Sequence, residues 1–364
     1  MSVLNNSAVI GLLGAPPPAA AGGISRSLRF NSSDSAYLSR TPASAGNRKT
    51  WTWAGWVKRA TVTDTWEPLF FTVTGSAYTF FGFSSQKLYL QQYDGSSSTF
   101  EALTTSVYRD PSAWYHVQIA VDTTQATGSN RLKLYINGVQ VTALDIANYG
   151  SQNLDTYINA TNAHYIGVWS TFSHYFDGYL ADIYFIDGQA LDPSSFTETD
   201  ATTGQLIPKA YTGTYTGNSF WLPFRDNSAA TATTLGKDNF NLGNNWTSNN
   251  LSITAGSGND SLVDVPTNGA ASSGGDAGGV TRGNYATLNP LGVRLQGAPL
   301  SNGNLVFGRP TVSTTWGTAY STIWPTSGKW YFESTLTAFD SNFMVIGALQ
   351  QEPGTAAEPG STSA

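Results

Sequence analysis

Glu198 and Asp200 form the one Glu-x-Asp pair in this 364-residue chain. Carboxylates two residues apart on a strand share a face, and such a pair could divide the acid and nucleophile roles of glycoside hydrolysis. Here Ala201, Thr202 and Thr203 follow in a Thr-rich stretch, so the pair reads as a solvated loop. The three histidines, His116, His164 and His174, show neither His-x-x-x-His spacing nor an adjacent Glu, which leaves no recognisable zinc motif. Alternation puts His116 with Gln118 on the more polar face of a strand, a structural position. No Gly-x-Ser-x-Gly elbow or Walker loop occurs. With no cysteine, thiolate metal sites, disulfides and a cysteine nucleophile are excluded. The residues point away from an enzyme.

Binding chemistry has better candidates. Sugars offer C–H faces to aromatic rings and vicinal hydroxyls to planar polar groups or calcium. The stretch VWSTFSHYFDG, residues 168–178, gathers Trp169, Phe172, His174 and Tyr175 around a turn. Trp169 and Phe176 also read as buried strand ends, whereas Phe172 and Tyr175, nearer the tip, are the stronger glycan candidates. Asp145 and Asp155 are the carboxylates of an Asn-rich run over 144–164 that also holds Asn148, Asn153, Asn159 and Asn162. They are the calcium candidates, although EF-hand spacing is absent and ordinary polar loop chemistry explains them better. No other cofactor is implied.

The elements that must carry these groups are short and alternating. In RLKLYINGVQV, residues 131–141, Leu132, Leu134 and Ile136 alternate with Lys133 and Tyr135, and Asn137-Gly138 supplies a hairpin turn before Val139 and Val141. Similar runs precede it: SLRF, TWTWAGWVKRA with a break expected at Gly55, PLFFTVTG, AYTFFGFSS, KLYLQQYDG and WYHVQIAVD. No comparably long segment shows helical spacing. Residues are 12% charged and 13% aromatic, a composition suited to pleated sheets. The net charge of -6 is spread without a basic run, which excludes a footprint for nucleic acid. No stretch approaches the length that inserts in a membrane. An all-β antiparallel sandwich is expected.

SLRFNSSDSAYLSR, TWTWAGWVKRA, SAWYHVQIAVD, RLKLYINGVQV, HYIGVW and FDGYLADIYFIDGQALDP, in this order, resemble the laminin G-like, pentraxin-like branch of the concanavalin A-like lectins and glucanases. The resemblance covers residues 24–196 and implies an antiparallel jelly-roll sandwich. Glucanases of that group carry a third carboxylate after the Glu-x-Asp, and it is missing here. Farther on, NYATLNPL, LSNGNLVFG, YSTIWPTSGKWYFESTLT and FMVIGALQ resemble the opening strands of a SPRY domain, too short for a whole sandwich. The second unit is therefore either truncated or completed by another chain.

The expected organisation is an extended anchoring arm over 1–23, the laminin G-like sandwich over 24–224, and a Gly/Ser/Asn-rich linker over 225–284. A partial SPRY-like segment over 285–350 and a disordered tail over 351–364 complete it. The start MSVLNNSAVIGLLGAPPPAAAGG has no Lys or Arg before its apolar run and three consecutive prolines, which favours an arm over a signal peptide. This combination of modules resembles virion proteins of tailed bacteriophages. It implies a fibre, decoration or tail subunit that contacts other virion proteins through residues 1–23, forms a homo-oligomer and displays a lectin-like domain to a host-surface glycan. The alternative is a secreted bacterial carbohydrate-binding module with a cleaved leader.

Overall fold

The structure, a computed structural model, describes residues 23–62, 66–171, 173–201, 203–266, 283–291, 299–308, 317–324, 332–337 and 346–347. Phe172, the arm except Gly23, the tail over 351–364 and half of the SPRY-like run lie outside them.

The chain begins with β1 (Ser27–Phe30), β2 (Tyr37–Arg40), β3 (Thr50–Arg59), β4 (Glu67–Thr74), β5 (Ala77–Ser84), β6 (Lys87–Tyr93) and β7 (Ser98–Val107). It continues through β8 (Tyr115–Asp122), β9 (Leu132–Ile136), β10 (Val139–Val141), β11 (Leu144–Asn148), β12 (His164–Ile166), β13 (Val168–Trp169), β14 (His174–Tyr175) and β15 (Gly178–Asp187). Shorter pieces follow: β16 (Thr197–Thr199), β17 (Leu206–Pro208), β18 (Phe220–Leu222), β19 (Thr247–Asn249), β20 (Ser261–Leu262), β21 (Leu300–Ser301) and β22 (Val306–Phe307).

Two eight-stranded antiparallel sheets face one another. Sheet A has the order β10-β9-β8-β3-β15-β1-β20, with β18 also on β15; sheet B has β11-β7-β6-β5-β4-β12-β2-β19. Period-2 alternation sends Leu28, Phe30, Trp51, Trp53, Val117, Ile119 and Val121 from sheet A into the layer between them. From sheet B come Leu38, Phe70, Phe81, Phe83, Leu88, Leu90 and Ile166. Trp53 meets Phe81 edge-on with ring centroids 5.4 Å apart.

The hairpin of β9 and β10 forms as its sequence predicts. Asn137 and Gly138 take φ of 50° and 78°, the left-handed values of a type I′ turn, and Val139 faces solvent at 69% exposure. Gly55, expected to interrupt its strand, lies inside a continuous β3. Gly82 is needed because β4 shifts register between Pro68 and Phe70; a Cβ there would sit 2.2 Å from the Glu67 carbonyl oxygen.

The tract expected as a linker is in large part integral to the sandwich. β19 pairs with β2 and β20 with β1, and Leu235, Trp246 and Leu251 enter the central core. A few well-spaced apolar residues suffice because they complete an existing core instead of building their own. Sheet A is consequently covered on its outer side as well. Trp56, Trp114, Tyr179, Leu262 and Val265 form one outer cluster, and Tyr184, Phe196 and Phe240 another. Part of the SPRY-like run also docks there: Tyr179 donates to the Gly303 carbonyl at 2.5 Å. Among the described residues of that run, the strands are the two-residue β21 and β22.

Candidate functional site

Among the described residues the outer face of sheet B is covered only in part, by the short strands β13 and β14, and its composition is unusual for a partly solvent-facing surface. Alternation that buries Phe81, Leu90 and Phe100 turns Tyr78, Phe80, Tyr89, Gln91, Tyr93 and Glu101 outward. Register then aligns them in rows. Tyr165 faces Phe71, Phe71 faces Phe80, Phe80 faces Gln91 and Gln91 faces Glu101, so one row passes from aromatic rings to an amide and a carboxylate. A neighbouring row carries Val73, Tyr78, Tyr93 and Ser98.

The rings touch. Tyr78 and Tyr93 have centroids 5.4 Å apart, and Phe80 and Tyr89 6.1 Å. Polar groups are joined along the edge: the Tyr78 hydroxyl donates to Gln91 Oε1 at 2.8 Å and Gln91 Nε2 donates to Ser98 Oγ at 2.8 Å. Tyr89 donates its hydroxyl to the Glu101 carboxylate. Burial raises the pKa of Tyr78, with Tyr93 and Glu101 adding to it. Burial and then the Glu101 hydrogen bond do the same at Tyr89. Both phenols stay protonated donors. The result is a face whose central rings, Phe71, Phe80 and Tyr89, are buried and whose half-buried Tyr78, Gln91, Tyr93 and Glu101 can stack on C–H faces and bond vicinal hydroxyls.

The hairpin of β13 and β14 lies over this face. Its Trp169 sits 5.0 Å from Trp66, 5.0 Å from Phe80 and 5.1 Å from Tyr78 by ring centroids. At 4% exposure Trp169 is a packing centre enclosed by five aromatic neighbours, which fits the reading of it as a buried strand end and not the one as a glycan contact. His174 stands 6.0 Å from Trp169. Tyr175 is 6.4 Å from Tyr37, which is 6.1 Å from Tyr165. Both are half-buried at the border of the face. The structure thus gathers Trp169, His174 and Tyr175 on one side of a larger surface, while Phe172 lies outside the described residues.

Asp145 and Asp155 are not brought together. The Asp145 carboxylate accepts from Thr105 Oγ1 at 2.8 Å and pairs with Lys87, contacts that lower its pKa, the Lys87 hydrogen bond foremost. Asp155 lies at the other end of β7, where its carbonyl receives Gln92 Nε2, which also donates to Thr99 Oγ1. Six residues of strand separate Thr99 from Thr105, about 20 Å at the usual rise. No cluster of three or more His, Asp or Glu able to hold a metal is present among the described residues. Glu198 is exposed, and Asp200 accepts from Thr203 in a local turn.

Tyr78, Tyr89, Gln91, Tyr93 and Glu101 were not singled out from the sequence. A signal was there: AYTFF and KLYLQQY carry aromatic or amide groups at both parities, whereas LKLYI in the hairpin alternates with a lysine. A strand with one solvated face has no structural use for rings on both.

Residues 31–195 match a laminin G family described as the Concanavalin A-like lectin/glucanases superfamily. Among solved structures, the chain is similar to a native heptameric SAP-like pentraxin from Limulus polyphemus, at 14% identity over 54% of this chain and 94% of that one, with a TM-score of 0.37. Domains LG4-5 of the mouse laminin alpha1 chain match at 12% identity over 55% and 47%, with a TM-score of 0.32. Domain 4 of an extracellular arabinanase from Geobacillus stearothermophilus, in complex with arabinotriose, matches at 21% identity over 42% and 66%, with a TM-score of 0.31. No curated protein matches the chain. The fold is a concanavalin A-like jelly roll.

Proposed function

We propose that this protein is a non-enzymatic adhesion subunit of a bacteriophage virion, which holds a host-surface glycan on the outer face of sheet B. The observation that carries the binding role is the set of partly exposed groups Tyr78, Gln91, Tyr93, Glu101 and Tyr165, aligned by the register of sheet B, with the buried rings of Phe71 and Phe80 packed between them. Aromatic rings and planar polar groups on a rigid sheet suit a saccharide, because little ordering is needed when the ligand arrives. Glu101 and Asp145 are the carboxylates that β7 and β11 place on this face. Asp145 bonds Thr105, four residues along β7 from Glu101 and about 13 Å away, whereas glycosidase pairs stand roughly 5 to 9.5 Å apart. That spacing supports binding without hydrolysis.

The virion setting rests on the combination of modules in the sequence, with the arm over 1–23 as its attachment, a homo-oligomer as its form and the SPRY-like portion against a neighbouring chain. A glycan array of bacterial surface polysaccharides, read with wild type and Tyr93→Ala, tests the binding role. Retention that Tyr93→Ala does not weaken overturns it. Particle incorporation by a chain lacking residues 1–23 tests the setting, and normal incorporation counts against it.

A further inference from the structure

A second cleft, of about 300 Å³, opens on the sheet A side of the sandwich, away from the aromatic face. Trp221, Arg225, Asp226, Thr234, Lys237 and Asn239 line it. Its position follows from an irregularity in β15, whose pairing with β3 shifts between Ala181 and Tyr184. Asp182 takes φ of 52° there and accepts the Trp221 indole N–H at 2.6 Å. Trp221 lies parallel to Tyr184, with 5.5 Å between centroids and 6° between planes.

The Arg225 guanidinium carbon stands 4.9 Å from the Trp221 centroid, over the ring. Trp221 is therefore in contact with both Tyr184 and Arg225. Contact with the ring holds the guanidinium while leaving its N–H groups at the edge. Arg225 and Lys237 are both exposed, and neither side chain has an ion pair or hydrogen bond among the described residues. One oxygen of the neighbouring Asp226 carboxylate, Oδ1, accepts from the Ser228 amide and hydroxyl at 3.1 Å and 2.6 Å, and the charge of Lys237 also helps hold the Asp226 pKa down. In a chain of net charge -6, two cations with unspent donors on one cleft are conspicuous.

We propose that this cleft is a binding site for the carboxylate of an acidic sugar such as a hexuronate, taken in two-point fashion by Arg225 with Lys237 as the second cation. The planar guanidinium fork matches the two oxygens of a carboxylate. Asn239 and Thr234 offer polar groups to the sugar's hydroxyls. The site is separate from the aromatic face and does not depend on its role.

Titration of the full-length protein with glucuronate, glucose and inorganic phosphate, followed by calorimetry or protein NMR, tests the assignment. Glucuronate is expected to bind and glucose is not, with affinity falling as salt rises. Arg225→Gln should weaken glucuronate about tenfold or more, Arg225→Lys should restore only part of this, and Lys237→Gln should weaken it less. Tyr93→Ala should leave it unchanged, which separates this site from the first. Failure of glucuronate to bind at tens of millimolar, or equal binding by Arg225→Gln, overturns the site. Phosphate binding as tightly as glucuronate overturns its assignment to an acidic sugar.

Discussion

The Lys58 ammonium donates to the Asp264 carboxylate at 2.8 Å across 206 positions of sequence, and both side chains are buried. The remaining two Lys58 donors go to Asn284 Oδ1 at 2.9 Å and to the Tyr285 carbonyl at 2.6 Å. Arg29 is treated likewise, by Asp260 at 3.0 Å and by the carbonyls of Ser257 and Asn302 at 3.0 Å and 3.2 Å. Two charges on the outer side of sheet A are thus neutralised by a part of the chain far downstream.

Removing one partner of such a pair leaves an uncompensated buried charge. Asp264→Asn should cost about 3–5 kcal/mol in urea unfolding, and the double variant Lys58→Met, Asp264→Leu should recover most of it. A single variant within about 1 kcal/mol of wild type sinks the idea that Asp264 is what makes Lys58 tolerable there.

Trp246 gives a second test of the downstream tract. It is fully buried and meets Phe220 at 5.0 Å and Phe70 at 6.1 Å between ring centroids. Trp246→Ala should cost about 3–5 kcal/mol. A chain ending at residue 224 lacks Trp246, Asp260 and Asp264 together, and it should be recovered without cooperative unfolding. A sharp, wild-type-like transition from that truncation would show that the sandwich is complete without the tract.

The aromatic face predicts a split between two of its residues. Tyr93 is half-buried at the edge, so Tyr93→Ala should weaken glycan retention about tenfold with a stability change under about 1 kcal/mol. Trp169 is enclosed by Trp66, Phe71, Tyr78 and Phe80, so Trp169→Ala should lose about 3–5 kcal/mol of stability as well as binding. Equal stability loss in both variants would contradict the assignment of Trp169 as a packing centre.

Buried histidines set part of the pH dependence. Desolvation pushes His116 down to about 3 and His164 down to about 4. His164 Nε2 accepts the Asn159 amide at 3.0 Å, and with the proton on Nδ1 it donates to the Asn162 carbonyl at 2.7 Å. Both folded-state values are depressed, so the unfolded chain takes up protons below about 6.5 that the fold refuses. The stability they contribute is present above that pH and falls by about 1.4 kcal/mol per histidine for each unit below it, down to the folded value. Glu67 and Asp182, pushed up to about 7 and about 6 chiefly by burial, act with the opposite sign. The histidine share is therefore read as a difference: going from pH 7 to pH 5, wild type should lose about 2 kcal/mol more than His164→Gln. Identical pH dependence in the two would show that His164 titrates normally in the fold.

Much of the sandwich was legible in the chain because its signals are local. An Asn-Gly turn needs positive φ at two adjacent residues wherever it occurs, and alternation in WYHVQIAVD is set by the pleat, so Val117, Ile119 and Val121 reach the core as their spacing predicts. The aromatic cluster at 168–178 was visible for the same reason, and the structure does collect Trp169, His174 and Tyr175 in one place.

Which of those rings is open to a ligand was decided elsewhere, by Trp66, Phe71, Tyr78 and Phe80 from other strands closing around Trp169. Burial depends on what packs against a residue, and composition of its own segment does not report that. The same holds for the tract after residue 224. Its few apolar residues could not make a core alone, but Leu235, Trp246 and Leu251 needed only to complete one whose sheets already existed. Asp260 and Asp264 sit in a polar stretch that reads as solvated, and only the long-range approach of Arg29 and Lys58 makes them part of the interior. Local physics determined the strands, their turns and one face of each. The choice of which outward face stays open, and hence where a ligand can lie, belonged to contacts between residues hundreds of positions apart.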